Sequence, residues 1–228
     1  MPASIPIAVA LPAFLFDLDG TLAHTLPDLQ ASTNHVRAVY GLPEAPLDEV
    51  RSFVGDGAHT LLRRALQPVL PTTTAAQAIL LEAAFATYVA HHERQCTGKA
   101  TLYPGVREHL RGLHERGHPL GVVTNKPERF TLPLLAHLGL TPLLGAIVGG
   151  DTLLQKKPDP APVLHALRTL AAEVHTATMV GDGVQDLRAA KAAGVRTIAC
   201  LFGYGDPVAL RVEAAHVYWR AFGEPEPR

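Results

Sequence analysis

The sequence predicts an α/β fold: a doubly wound, mostly parallel sheet of Rossmann-like type carrying an inserted all-helical cap subdomain. Three observations lead there. Short apolar runs alternate with longer amphipathic segments from Pro12 onward. The stretch from about His24 to Thr97 breaks that rhythm, with helical patterns and no strand between them. Acidic, hydroxyl and basic residues fall directly after the apolar runs, where such sheets place their ligands.

The first strand is Ala13-Phe14-Leu15-Phe16, ending at Asp17. Others are expected at Leu120 to Val123, Ala146 to Val148, Thr178 to Val180 and Thr197 to Ala199. Each is short and apolar throughout, as strands buried on both faces of a parallel sheet are. Helices are expected at about Val106 to Glu115, Glu128 to Leu138, Ala161 to Ala172 and Val184 to Ala193, several opened by Pro and closed by Gly. Within the insertion they fall at Leu29 to Tyr40, Ala58 to Leu66 and Ala75 to Glu93, with Pro-rich Leu66 to Pro71 as an internal connection. Cys96 to Pro104 is the expected hinge back to the core. The expected division is a Rossmann-like core of residues 1–23 and 98–228 around a helical cap of residues 24–97. The tail from Gly223 to Arg228 is expected to be disordered.

Composition narrows the class. At 228 residues, 47% apolar and 18% charged, the chain has the balance of a folded globular protein. A formal net charge of −1 gives no long-range attraction for nucleic acid or an anionic membrane, so neither is an expected partner. Two distant cysteines, Cys96 and Cys200, suit a reducing compartment better than a disulfide scaffold. The apolar run Ile5 to Leu15 lacks a basic flank and is interrupted by Pro6 and Pro12, which argues against a signal peptide. Cytoplasmic location is expected, as a monomer or homodimer.

The chemistry is written at the strand ends. In Phe14-Leu-Phe-Asp17-Leu-Asp19-Gly20-Thr21-Leu22, two carboxylates at spacing two emerge from an apolar strand. Held there, they repel each other and lose hydration unless a divalent cation compensates them. Gly20 permits a tight turn after them. A bare turn or helix cap is the plain alternative, while a calcium loop fails because its twelfth position is Asp28 rather than Glu. After Val123 come Thr124-Asn125-Lys126, a hydroxyl and an amide placed to donate to a phosphoryl oxygen at a helix start. After Ile147 comes Lys156-Lys157-Pro158-Asp159, and after Val180 comes Gly181-Asp182-Gly183-Val184-Gln185-Asp186. Singly, Thr124 reads equally as a helix cap, Lys157 as a solvated charge and Asp182 as a turn residue. As an ordered set they converge on one sheet edge.

This set resembles the haloacid dehalogenase superfamily, whose four motifs match in order at Asp17/Asp19, Thr124, Lys157 and Asp182/Asp186, over about Phe14 to Phe202. The insertion is similar to the helical cap of one large branch. The resemblance implies that Asp17 attacks phosphorus to form an aspartyl-phosphate and that Asp19 protonates the leaving oxygen, then activates water. It implies that Asp17, the Asp19 carbonyl and Asp182 hold Mg²⁺, that Thr124 and Lys157 bind the phosphoryl group, and that Asp186 orients Lys157 or a metal-bound water. Gly20, Thr21 and Asp186 are supporting residues. Lys156 is a rival for the role of Lys157, which the Lys-Pro pairing favours.

In the cap, Phe53-Val54-Gly55-Asp56-Gly57-Ala58 leads toward Arg64. Two glycines before a helix can form a nest of amides facing an anion, here a substrate carboxylate; a plain connecting loop is the other reading. Gly55, Asp56, Gly57 and Arg64 join Thr124, Asn125, Lys126 and Lys157 as candidate substrate-binding residues. The segment is similar to that of bacterial phosphoglycolate phosphatases, as are Pro27-Asp28-Leu29 and Gly149-Gly150-Asp151-Thr152. His24-Thr25 departs from that group, which usually has an acidic residue and Ser, and the departure bears on the substrate entrance. The implied function is a magnesium-dependent phosphomonoester hydrolase acting on a small metabolite, 2-phosphoglycolate first. N-acetylmuramic acid 6-phosphate as substrate, a phosphomutase of the same superfamily, and a catalytically idle phosphate-ligand binder are the competing readings. His91, His92 and Cys96 are not expected to form a zinc site, because adjacent helical histidines point apart; a partly exposed helix end is expected there.

Overall fold

In the computed structural model, which describes residues 11–226, seven strands form one sheet in the order β5-β4-β1-β6-β7-β8-β9. Its central strand is β1 (Phe14–Phe16), flanked in parallel by β4 (Leu120–Val123) and β6 (Thr178–Gly181). Outside them lie β5 (Ala146–Val148), β7 (Arg196–Cys200) and β8 (Val217–Ala221), all parallel. Only β9 (Glu224–Pro225) runs antiparallel, along β8.

Alternation along β1 shows why the sheet is covered twice. Leu15 faces one buried cluster with its strand neighbours Val123 and Met179, covered by Val163 and Leu167 of α7 (Ala161–Thr169) and Ala189 and Ala190 of α8 (Val184–Ala192). Phe16 faces the opposite cluster with Val106, Leu110 and Leu134, supplied by α5 (Val106–Glu115) and α6 (Glu128–His137). Period-two side chains in a strand reach both faces, so each face needs its own helices.

Between β2 (Ala23–His24) and β3 (Thr101–Leu102), which pair antiparallel, run four helices and no strand: α1 (Leu26–Val39), α2 (Leu47–Phe53), α3 (Ala58–Ala65) and α4 (Thr74–Gln95). They share a buried cluster of Val36, Val50, Leu62, Ala84 and Tyr88, which Phe130 of α6 joins from below. The inserted helices are therefore seated on the sheet's helical layer through an aromatic side chain. Arg37 is buried within them because its guanidinium donates to the carbonyls of Pro43 and Ala65, satisfying the end of α3.

Several expectations change. Helix α2 and the short α9 (Pro207–Val212) were not legible, being only two turns or less, and β8 has a half-exposed pattern interrupted by Arg220, unlike the buried central strands. Rather than being disordered from Gly223, the tail forms β9, with Arg211 donating to Glu226 beside it, while Pro227 and Arg228 lie outside the described residues. His92 is buried rather than at an exposed end, and the Nδ1 atoms of His91 and His92 both lie within hydrogen-bond distance of Ser32 Oγ. Ile5 to Ala10, part of the apolar N-terminal run, lie outside the described residues. Cys96 and Cys200 are both buried free thiols.

Candidate active site

Parallel strands deliver their C-terminal ends to one edge, and there the chain has placed its ionisable groups. Asp17 ends β1, Thr124 follows β4, Lys157 lies on the loop after β5, and Asp182 follows β6. Lys157, not Lys156, enters the site. Its buried Nζ donates to Asp17 Oδ1 (2.9 Å), Asp186 Oδ1 (2.5 Å) and the Val123 carbonyl (2.6 Å). Burial opposes its charge, but the Asp17 and Asp186 carboxylates outweigh burial and push the ammonium up to about 12. Asp186 spends its second oxygen on the Gly183 amide, 2.9 Å away, so it acts by fixing Lys157 and the turn.

One ammonium does not neutralise what surrounds it. Asp17, Asp182 and Asp186 bring one oxygen each within 4.8 Å of one another. Burial raises the Asp17 carboxyl to about 6, with Lys157 pulling down and Asp186 and Asp19 pushing further up. Burial also raises Asp182, to about 8, aided by the charges of Asp17 and Asp186. Such a cluster of hard oxygen donors with unbalanced negative charge fits a divalent cation of the Mg²⁺ kind. Asp182 is aimed by Thr21 Oγ1, which donates to Oδ1, and by the Tyr204 amide, which donates to Oδ2, each at 2.7 Å. Gly20 makes room: at φ +87°, a Cβ there would lie 2.2 Å from Asp182 Oδ2.

Asp19 faces the other way. Its carboxylate accepts from Thr25 Oγ1 (2.6 Å) and lies 3.2 and 3.3 Å from the buried Lys126 Nζ. The two carboxylates of the motif thus divide between two microenvironments, Asp17 against Lys157 and Asp19 against Lys126. Thr124 accepts from the Lys126 amide, which leaves its hydroxyl proton for a ligand.

The remaining sequence candidates divide by what they touch. Asn125 donates both of its side-chain N–H groups, to the carbonyls of Gly55 and Lys157, and accepts from the Lys157 amide. It therefore has no side-chain donor left for a phosphoryl oxygen and instead pins the lysine loop beneath the inserted helices. Asp56 accepts from Gln185 Nε2 and Arg64, each at 2.5 Å, and Arg64 also donates to the Phe53 carbonyl. These two hold the 54–57 loop against the sheet edge. Gly55 and Gly57, at φ +118° and +85°, shape that loop, and both border the cavity beside Asp19.

Two spaces open on either side of the Asp17–Asp19 pair. A cavity of about 40 Å³ reaches under α3, lined by Leu61, Tyr88, Lys126 and Phe130 among others. An open cleft of about 550 Å³ lies toward Asp182, Arg51 and Tyr204. His24 borders neither; its ring sits between those of Tyr103 and Tyr204, at the hinge rather than at a substrate entrance.

Sequence reasoning did not single out the Gly203-Tyr204-Gly205 loop after β7. Its phenol accepts from the amides of Thr25 and Leu26 at the start of α1, while its carbonyls of Gly203 and Tyr204 accept from Arg51 of α2. The signal was present: a Gly-flanked aromatic directly after a strand, at the same edge as the four recognised groups. Tyr88 and Gln185 were missed as well, and neither carries a local signal because each sits in an ordinary helix.

Residues 14–200 match the family model described as haloacid dehalogenase-like hydrolase. The chain belongs to that family. This haloacid dehalogenase-like hydrolase is 41% identical over 220 residues to phosphoglycolate phosphatase 1 of Pseudomonas aeruginosa, covering 92% of this chain and 78% of that one. It is 40% identical over 194 residues to a phosphoglycolate phosphatase of Chromobacterium violaceum, covering 85% and 86%. Among solved structures it is similar to a predicted phosphoglycolate phosphatase of Haemophilus somnus, with TM-score 0.82, 29% identity and coverage of 94% and 96%. No helix among the described residues is long and apolar enough to cross a membrane.

Proposed function

We propose that this hydrolase removes phosphate from 2-phosphoglycolate in the cytoplasm, with Mg²⁺ as cofactor and an aspartyl-phosphate as intermediate. One observation carries the chemistry: Asp17 and Asp19, two residues apart, face opposite surroundings, which suits one as nucleophile and the other as acid and base. Asp17 attacks phosphorus as the bond to the leaving oxygen breaks, and Asp19 gives its proton to that oxygen. Asp19 then takes a proton from the water that attacks the aspartyl-phosphate, which returns Asp17 as a carboxylate and releases inorganic phosphate. Acid–base help of this kind contributes roughly 10²–10⁴-fold.

Lys157 and the Thr124 hydroxyl face the transferring oxygens and offset the charge that spreads over them. Asp17, Asp182 and the Asp19 carbonyl would hold Mg²⁺, which supplies charge neutralisation between nucleophile and phosphoryl oxygens. The substrate assignment draws support from relatives about 40% identical that bear the name phosphoglycolate phosphatase.

The test is phosphate release by purified protein with Mg²⁺ from 2-phosphoglycolate, N-acetylmuramic acid 6-phosphate and several sugar phosphates, compared by kcat/KM. The highest value is expected for 2-phosphoglycolate. An isomer formed without free phosphate would mean a mutase, and no turnover on any ester would mean an idle binder.

A further inference from the structure

The cavity beneath α3 contains a polar group that the reaction above leaves unused. Tyr88, on α4 within the inserted helices, is 1% exposed and lines this cavity with Asp19 and Lys126. Its phenol has no hydrogen-bond partner among the described residues, and burial and the Asp19 charge hold it well above the usual range, so it stays a neutral donor. The oxygen is not sealed in, since His92 Nε2 is the one enclosed side-chain nitrogen or oxygen without a partner among the described residues; it opens onto the cavity, where a ligand can accept from it.

Two further donors meet it there. Lys126 directs its ammonium at Asp19 through contacts of 3.2 and 3.3 Å, and an ammonium with three N–H groups retains capacity for another acceptor. The N-terminus of α3 opens on the same cavity at Gly57 and Ala58, and Gly57 has no side chain to cap the first amides of the helix. Leu61 and Phe130 close the remaining wall with apolar surface. The ring of Tyr88 is held in place by stacking on buried His92, 4.9 Å between centroids, and by an edge contact with Phe130.

We propose that Tyr88, Lys126 and the N-terminus of α3 form a subsite for a carboxylate on the leaving group, and that Tyr88 is its specificity-determining residue. The proposal rests on the phosphatase reading and deepens it. The subsite sits on the Asp19 side of the Asp17–Asp19 pair, where the leaving oxygen departs, opposite the carboxylate cluster. A volume of about 40 Å³ admits about three water-sized groups, enough for one methylene and a carboxylate. A longer acid would have to displace part of the apolar lining to which Leu61 belongs.

Three esters test this: 2-phosphoglycolate, 3-phosphopropionate and n-propyl phosphate, which lacks a carboxylate, each followed by kcat/KM with wild type, Tyr88→Phe and Leu61→Ala. Wild type is expected to favour 2-phosphoglycolate over both others. Tyr88→Phe keeps the ring and its stacking, and is expected to shrink the glycolate-to-propyl preference about 10- to 100-fold, the range for a hydrogen bond to a charged group. Leu61→Ala is expected to shift preference toward 3-phosphopropionate. The subsite is overturned if wild type shows no preference for the carboxylate, or if folded Tyr88→Phe leaves the glycolate-to-propyl ratio unchanged. Release of phosphate from none of the three esters would instead overturn the phosphatase reading itself.

Discussion

Lys157 concentrates the site's energetics in one side chain. It satisfies Asp17, Asp186 and a strand-end carbonyl at once, so removing it leaves buried carboxylates uncompensated. Lys157→Met is expected to abolish turnover and to cost about 3–5 kcal/mol in urea unfolding, the range for breaking a buried ion pair. Asp17→Asn behaves differently. The nucleophile is lost, yet a carboxyl already raised to about 6 by burial gives up little by becoming neutral. Turnover is expected to vanish while the thermal midpoint in Mg²⁺-free buffer at pH 8 does not fall; a large fall would show that the ion pair with Lys157 outweighs burial. His92 sets an acid limit of its own. Burial, then the Lys126 and His91 charges, lower its ring to about 2, and its Nε2 has no partner. The folded state thus refuses a proton that the unfolded chain accepts below about pH 6.5, so stability falls as pH drops through that value, by about 1.4 kcal/mol per unit. In excess Mg²⁺, which holds the carboxylate cluster ionised, His92→Gln is expected to start less stable at pH 7.5 but to show a flatter urea midpoint between pH 6.5 and 5. Parallel slopes for the two proteins would assign the acid sensitivity elsewhere.

At the scale of elements, the inserted helices are tied to the sheet edge by a few named bonds. Helix α1 begins at Thr25 with no side-chain cap of its own, and the Tyr204 phenol accepts the amides of Thr25 and Leu26 in its place. A cap supplied from 179 residues away does two jobs, satisfying the helix end and fixing its position against Asp182, which the Tyr204 amide also holds. Tyr204→Phe is expected to lower stability by about 0.5–2 kcal/mol, the range for losing a helix cap, as read by chemical unfolding with Mg²⁺ present. An unchanged midpoint would show that water replaces the phenol without loss. The loop from Val54 to Gly57 is pinned in the same manner, through Asn125 to Gly55 and Gln185 to Asp56. Sequence placed these residues near the substrate; Asp56 and Arg64 pair with each other and line the cleft that Asp17 and Asp19 also border, with Gln185 holding Asp56.

For the whole molecule, the carboxylate cluster links stability to pH and metal. Asp17 and Asp182 have folded-state values of about 6 and about 8, above the ordinary 3.8. Without a cation, the folded state therefore holds protons that the unfolded chain has released, and stability is present at low pH and lost as pH rises through about 6 to 8. The metal-free protein is expected to melt at progressively lower temperature from pH 5.5 to pH 8.5, and excess Mg²⁺ to flatten that decline by favouring the ionised carboxylates. A pH profile unmoved by Mg²⁺ or by chelator would remove the cluster as a metal site.

What the sequence determined by itself was whatever depends on near neighbours. Apolar strands of three to five residues, helices with their Pro and Gly punctuation, and polar groups just past a strand are local patterns, and they marked Asp17, Asp19, Thr124 and Asp182 together with the doubly wound core, while Lys157, nine residues beyond β5, was singled out by its place in the ordered motif set. Short elements such as α2 and β9 escaped because a two-turn helix and a two-residue strand have too little periodicity to register. Only the tertiary structure decided that the favoured Lys157 bridges Asp17 and Asp186 at once, that Asn125 is a strut and not a phosphate donor, and that Tyr88 presents an unused phenol beside Asp19. Each depends on contacts across long stretches of chain, 140 residues for Lys157 and Asp17, where the partner is selected by strand order and burial and not by spacing.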